Sequence, residues 1–196
     1  MTLWEFSLSI YPKEGVADAC LTLQNKHGFD VNLVLFCLWL ARGQRALQPV
    51  RFAEVVALST EWRERAITPL RRLRREMKAW GSVGTLPAFS AREDFEALRN
   101  KIKAAELAAE RSQQAVLMTL GTAEGLQDDH DLGLFAKQIM WLSTQQEESL
   151  HAGRLPVLNA SEGLSAEQRD VVQLITYIAN ADSAELAAQV SASFAP

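Results

Sequence analysis

The segment PLRRLRREMKAW, residues 69–80, puts Arg71, Arg74, Arg75 and Lys78 on one side of a helix. At 100° per residue they fall within about 100° of arc. Four cations this close repel one another unless an anion is near. A guanidinium suits phosphates and carboxylates because its fork can donate two parallel hydrogen bonds. Three fates follow for these groups. They can meet an external anion: a nucleic-acid backbone, an anionic cofactor or an acidic protein surface. They can stay solvated with weak intrahelical support such as Arg72–Glu76 at i,i+4. Or they can be met inside the chain. Glu106 and Glu110 suit that third fate, because like charges four apart on one helix face destabilise the helix unless neutralised. Lys103, three residues before Glu106, is one neutraliser. The basic face of 69–80, reaching across an interhelical contact, is a stronger one. Arg71, Arg74, Arg75 and Lys78 are therefore the candidate anion- or partner-binding residues, and Lys103, Glu106 and Glu110 a candidate buried polar network.

Signs of other chemistry are few. Paired carboxylates also hold metals, but a di-iron bundle needs Glu-x-x-His on two helices, and Glu148–His151 is the one match here. DDHD at 128–131 lacks the alternating ligands and central glycine of a calcium loop. It reads as a solvated loop whose last member, Asp131, caps the next helix. There is no Gly-x-Ser-x-Gly, no phosphate-binding Walker loop and no dinucleotide fingerprint. No catalytic residue, no metal and no cofactor is expected. Cys20 and Cys37 lie in apolar periodic segments and read as buried, reduced thiols.

The elements that must position these residues are helical almost throughout. TLWE at 2–5 has the spacing of a capping box, and Pro12 ends that first helix. GVADACLTLQNKHG gives one apolar face of Val16, Ala19, Cys20 and Leu23, with Gly28 as the stop. Asp30 caps a third helix running to Arg42. Its residues Leu33–Ala41 are apolar without interruption. Nine residues rise about 14 Å, less than half of a ~30 Å hydrocarbon layer, so this is no membrane span. A helix apolar on every side is buried on every side, which makes it the centre of a bundle, with Asn32 as a structural residue of its first turn. A short amphipathic segment at 50–58 and a longer one at 60–80 follow, with a kink or break at Thr68-Pro69. The buried stripe of 69–80 is Leu70, Leu73, Met77 and Trp80. SARE at 90–93 opens the longest helix, about 91–120, with an apolar stripe of Phe95, Leu98, Ile102, Ala105, Ala109, Ser112 and Val116. Further helices are expected at 132–148 and from Ser165 to about Asn180, and a weak helix or frayed tail closes the chain. The fold class is all-α: a bundle of six to eight helices around a buried central helix.

Residues 1–120 carry 17 Lys/Arg and 13 Asp/Glu, net +4, whereas residues 121–196 carry 3 and 11, net −8. This predicts a helical core domain over 1–120 and an acidic helical extension over 121–196 packed on it, positioned to cover the basic face or to compete with its partner. The N-terminus lacks the basic region of a secretory signal, and a cytoplasmic protein is expected.

WEFSLSIY, GVADACLTLQNKHGFDVNLVLFCLWLA, the basic PLRRLRREMK and AAELAAERSQQAVL together resemble a family of small uncharacterised proteobacterial proteins, a domain of unknown function. The resemblance covers roughly residues 4–120. It implies a bacterial cytoplasmic setting and a separable N-terminal core, and it carries no catalytic residues with it.

Three functions compete on these grounds. The leading one is a non-enzymatic interaction or regulatory protein that binds a protein or other anionic partner through the basic face. The second is an enzyme or small-ligand binder with an interhelical pocket that uses Glu106, Glu110 and the arginines, walled by Trp39, Trp62 or Trp80. The third is nucleic-acid binding through 69–80, against which the acidic overall balance weighs.

Overall fold

A computed structural model describes residues 1–80, 93–122, 125–144 and 164–195. It is an all-α bundle with one very small sheet. In chain order the elements are α1 (Leu3–Ile10), α2 (Val16–Lys26), α3 (Val31–Arg42), β1 (Arg45–Leu47), α4 (Pro49–Trp62), a π-helical turn (Arg63–Ile67), α5 (Thr68–Trp80), α6 (Glu93–Gly121), β2 (Leu126–Asp128), α7 (Gly133–Thr144), α8 (Ala166–Asp182) and α9 (Ala184–Ser193).

The helix starts follow the capping chemistry. Thr2 and Glu5 form the reciprocal box at α1, and Ser165 and Gln168 form the one at α8. Asp30 accepts from the Asn32 amide at the start of α3. Each such cap satisfies backbone donors that the helix itself leaves open. Gly28, just past α2, has φ +72°, the left-handed conformation that glycine adopts without steric cost.

As its hydrophobicity requires, α3 is enclosed. All of its residues from Leu33 to Ala41 are buried except Trp39, which is half-buried and donates its indole N–H to the Met1 carbonyl. Around it a single apolar core gathers side chains from Leu3 in α1 to Val190 in α9. The last helix is thus anchored through Leu186, Ala187 and Val190 instead of fraying. Polar links join the acidic C-terminal helices to the early ones. Asp170 of α8 pairs with Lys26 and His27, and Asp182 pairs with Arg42.

Two features refine the sequence reading. Of the kink or break expected at Thr68-Pro69, there is no break: the chain stays helical through a π turn. Thr68 has helical angles (φ −60°, ψ −44°), and its amide bonds back five residues to the Arg63 carbonyl. The π turn absorbs the proline's missing donor and its clash with the preceding turn, so α4 runs on into α5. Second, a strand pair joins Arg45–Leu47 antiparallel to Leu126–Asp128, with Ala46 opposite Gln127. Three-residue strands are too short to register as periodicity. Next to this pair, Asp129, not Asp131, is the main cap of α7. It is buried and accepts from the Leu134 and Phe135 amides, while Asp131 accepts only from Gly133. The box expected at 90–93 begins outside the described residues, as does the Glu148–His151 pair.

Close approach of α6 to α3 requires glycine at 121. A Cβ there would lie 2.6 Å from Phe36 Cε2 and 2.9 Å from its Cζ. Gly121→Ala should therefore cost about 1–3 kcal/mol in urea unfolding through overpacking. Gly133→Ala, whose Cβ meets nothing nearer than 3.4 Å, should shift stability by no more than about 0.5 kcal/mol. Equal effects at the two positions would contradict this packing.

Candidate functional site

The long helix α6 turns its polar side inward. Its buried residues are Glu106, Gln113, Gln114, Leu117 and Gly121, and Glu110 is half-buried on the same face. The apolar stripe expected at Phe95–Val116 is not the buried face. Leu98 and Val116 are exposed at 50% and 54%, and Ser112 and Ala105 are exposed as well. Hydropathy periodicity misplaces the inward face because the groups that α6 buries are carboxylates and amides. On α5, likewise, Met77 is buried but Leu73 and Trp80 are only partly covered, at 37% and 39% exposed, with Trp80 tilted against Phe95 at 6.3 Å.

Those inward amides belong to a closed hydrogen-bond chain. Ser7 Oγ donates to Gln114 Oε1 at 3.1 Å, and Gln114 Nε2 donates to Asn32 Oδ1 at 2.8 Å. Asn32 Nδ2 donates to Gln113 Oε1. Gln113 Nε2 in turn donates to Ser59 Oγ at 2.7 Å and to Asp30 Oδ2 at 2.8 Å. Every member has a partner, which is the condition under which a buried polar network is tolerated. The chain ties α1, α3 and α4 to α6. Asn32 is therefore a junction as well as a first-turn residue.

Further toward the N-terminus of α6, Arg71 and Arg74 of α5 reach the same face. Arg71 Nε donates to Glu106 Oε1 at 2.9 Å and Arg71 Nη2 to Glu110 Oε1 at 2.6 Å. Arg74 donates through Nε to Glu106 Oε2 and through Nη2 to Oε1 at 3.2 Å, a forked pair. Glu106 thus accepts three N–H bonds, and Glu110 accepts one. Burial raises the Glu106 carboxyl, but the hydrogen bonds from Arg74 and Arg71 outweigh it and leave the group below its ordinary value. At Glu110 burial wins over the single bond from Arg71, and the carboxyl is raised. The bond to Glu106 also raises Arg74. Arg75 donates to Asn25 Oδ1 at 3.0 Å. Arg71, Arg74 and Arg75 are thus met by α6 and α2, while Arg72 pairs with Glu76 on α5 itself. Lys78 lies outside the cavity described next and has interactions of its own. Lys103 forms no ion pair with Glu106. It faces the same cavity, with no ion pair or hydrogen bond to any described residue.

A cavity of about 600 Å³ opens between α1, α2, α3, α5 and α6. One part of its wall is apolar, including Leu8, Leu21, Phe29, Leu35 and Leu107, and its tryptophan is Trp4 instead of Trp39, Trp62 or Trp80. The other part carries Arg63, Arg71, Arg74, Arg75 and Lys103 beside Asp30, Glu106 and Glu110. Cys20 also faces it, but burial pushes that thiol up to about 12. It is therefore a neutral small hydrophobe there, not a nucleophile. Among the described residues no cluster of three or more His, Cys, Asp or Glu could hold a metal. No described helix is long and apolar enough to cross a membrane.

A helical protein with a charged interhelical cavity is thereby defined. Residues 2–117 match the family described as "Protein of unknown function (DUF2390)", and the chain belongs to that family. No curated protein and no solved structure matches the chain. The family match takes in α1 to α5 and the part of α6 that bears Glu106, Glu110, Gln113 and Gln114, so every cavity residue named above falls inside it.

Removing the charge at Glu106 leaves two guanidiniums facing each other. Glu106→Gln should cost about 1–3 kcal/mol at neutral pH, discounted from the fully buried case because both arginines are partly exposed. Glu110→Gln should be neutral to mildly stabilising, because the folded state disfavours its charge. The pH signs are opposite. The stabilisation from Glu106 is present above its unfolded pKa and is lost as pH falls through its lowered folded value. The penalty at Glu110 is relieved as pH falls through its raised one. Urea unfolding of both variants between pH 3 and 8 reads both effects, and a larger loss from Glu110→Gln would contradict the assignment.

Proposed function

We propose that this protein binds a small organic molecule in the cavity between α1, α2, α3, α5 and α6. The observation that carries the reading is one space of about 600 Å³ with an apolar wall and a convergent set of charged side chains. Ligand sites have this composition: apolar surface for affinity and a few placed polar groups for orientation. The hydrogen-bonded floor of Ser7, Asn32 and Gln114 supports it further, because those rotamers are held before any ligand arrives.

This reading is favoured over a basic face offered to a macromolecule. Arg71 and Arg74 already donate to Glu106 and Glu110, so a nucleic acid or acidic protein would have to displace the buried Glu106 and the half-buried Glu110 to reach them. Binding, not catalysis, is the activity proposed. The site holds no nucleophile paired with a base, and its cysteine is neutral.

The test is ligand-observed NMR of a fragment library against the full chain and against Leu21→Trp. Leu21 lines the cavity and is 44% exposed, so the larger ring narrows the space without entering the core. A set of fragments that bind the wild type and lose at least about tenfold in the variant is expected. If no fragment binds, or if the variant binds all of them equally, the cavity is not the site.

A further inference from the structure

The cavity's charges are unequally committed, and the imbalance identifies what the space accepts. Five cations line it against three carboxylates. Two of those carboxylates are saturated. Asp30 accepts from the Asn32 amide, Ser59 and Gln113, and Glu106 accepts from Arg71 and Arg74. Glu110 accepts one bond from Arg71 and is the carboxylate that its surroundings least favour in charged form. The cations are less fully used. Lys103 makes no hydrogen bond or ion pair to a described residue, and Arg75 meets only a neutral amide oxygen on Asn25. Both are exposed residues that line the cavity, so an incoming molecule reaches them without breaking an internal ion pair.

Resting on the cavity being a ligand site, we infer that its ligand is an organic anion: an apolar body against Leu8, Leu21, Phe29 and Leu107, with one carboxylate held by Arg75 and Lys103. A cationic ligand would find only carboxylates already engaged, Glu106 and Glu110 by arginine and Asp30 by Asn32, Ser59 and Gln113, and would meet a surplus of positive charge. A neutral one would leave Lys103 and Arg75 uncompensated beside Arg71 and Arg74. An anion reduces that repulsion, and its carboxylate geometry matches the guanidinium fork. The apolar walls set the rest of the molecule, because they offer contact area and few hydrogen-bond partners.

Three probes with one body separate the possibilities: 2-naphthoate, 2-naphthalenemethanol and 2-naphthylmethylammonium, titrated calorimetrically into the full chain at pH 7 and low salt. Naphthoate should bind at least about tenfold tighter than the alcohol, and the ammonium should be weakest. Arg75→Gln combined with Lys103→Gln should bring naphthoate down to about the affinity that the alcohol shows for the same variant, and both side chains lie at the surface and outside the core. Equal affinities for the three probes, or preference for the ammonium, would overturn the anion assignment while leaving the cavity as a site. So would neutral fragments that bind in a Leu21→Trp-sensitive manner while naphthoate does not. Failure of every probe and every fragment would remove the site itself.

Discussion

The carboxylate of Glu106 can be buried in this fold only because α5 delivers Arg71 and Arg74 to it. An unpaired buried carboxylate would cost several kcal/mol or take up a proton. With three N–H bonds converging on it, the group stays ionised and fixes where α5 lies. That constraint reaches back along the chain. The helix carrying the arginines can reach α6 because α4 continues into α5 through the π turn at Arg63–Ile67, despite Pro69. It also reaches along α6, whose inward face is given over to Glu106, Glu110, Gln113 and Gln114. Where the arginines meet this face, long side chains hold the helices together through charge instead of dry packing, and a cavity is left between them.

This division of labour gives the bundle two kinds of interior. Around α3 the core is apolar, with Phe6, Phe36, Phe52 and Phe135 fully enclosed, and the hydrophobic effect accounts for cohesion there. On the side of α6 toward α1, α3 and α4, the buried amides and hydroxyls all find hydrogen-bond partners. Burial of matched groups adds less net stability than apolar packing, but mismatching them is costly. That asymmetry selects one register of α6 against its neighbours, since a rotation of the helix would leave Gln113, Gln114 and the Asn32 side chain without partners. A rigid polar floor beside an apolar wall is also what a binding site needs, so the device that orients the helix serves the proposed function as well.

The parts of this arrangement that were legible from sequence are those whose signals are local. Thr2–Glu5, Asp30 and Ser165–Gln168 announce helix starts through short-range hydrogen bonding, and each is where its spacing puts it. The nine apolar residues of α3 admit no arrangement but enclosure. The buried face of α2, Val16, Ala19, Cys20 and Leu23, is likewise plain from its period. What was not legible is long-range. The inward face of α6 is chosen by partners more than thirty residues away, and its own hydropathy points to Leu98 and Val116, which face outward. The proximity of Arg71 and Arg74 to Glu106 and Glu110 could be anticipated, because four cations and two carboxylates on facing helices call for one another. The roles of Ser7, Asn32, Gln113 and Gln114 could not, since isolated amides and hydroxyls carry no pattern. The nearest signal was Gln113-Gln114, between Ser112 and Ala115 well inside the helix, two adjacent polar residues with no obvious surface purpose. The cavity, similarly, follows from how five helices meet, and no segment of the chain encodes it alone.

The central claim is that Glu106 lies ionised between two guanidiniums while Glu110, one turn on, is only half compensated. Carbon-detected NMR of the side-chain carboxyl resonances, followed from pH 2 to pH 8 on the folded chain, reads this directly. Glu106 should titrate below the ordinary glutamate value of 4.5 and Glu110 above it. Titration of both residues together at the ordinary value, or in the reverse order, would contradict the account.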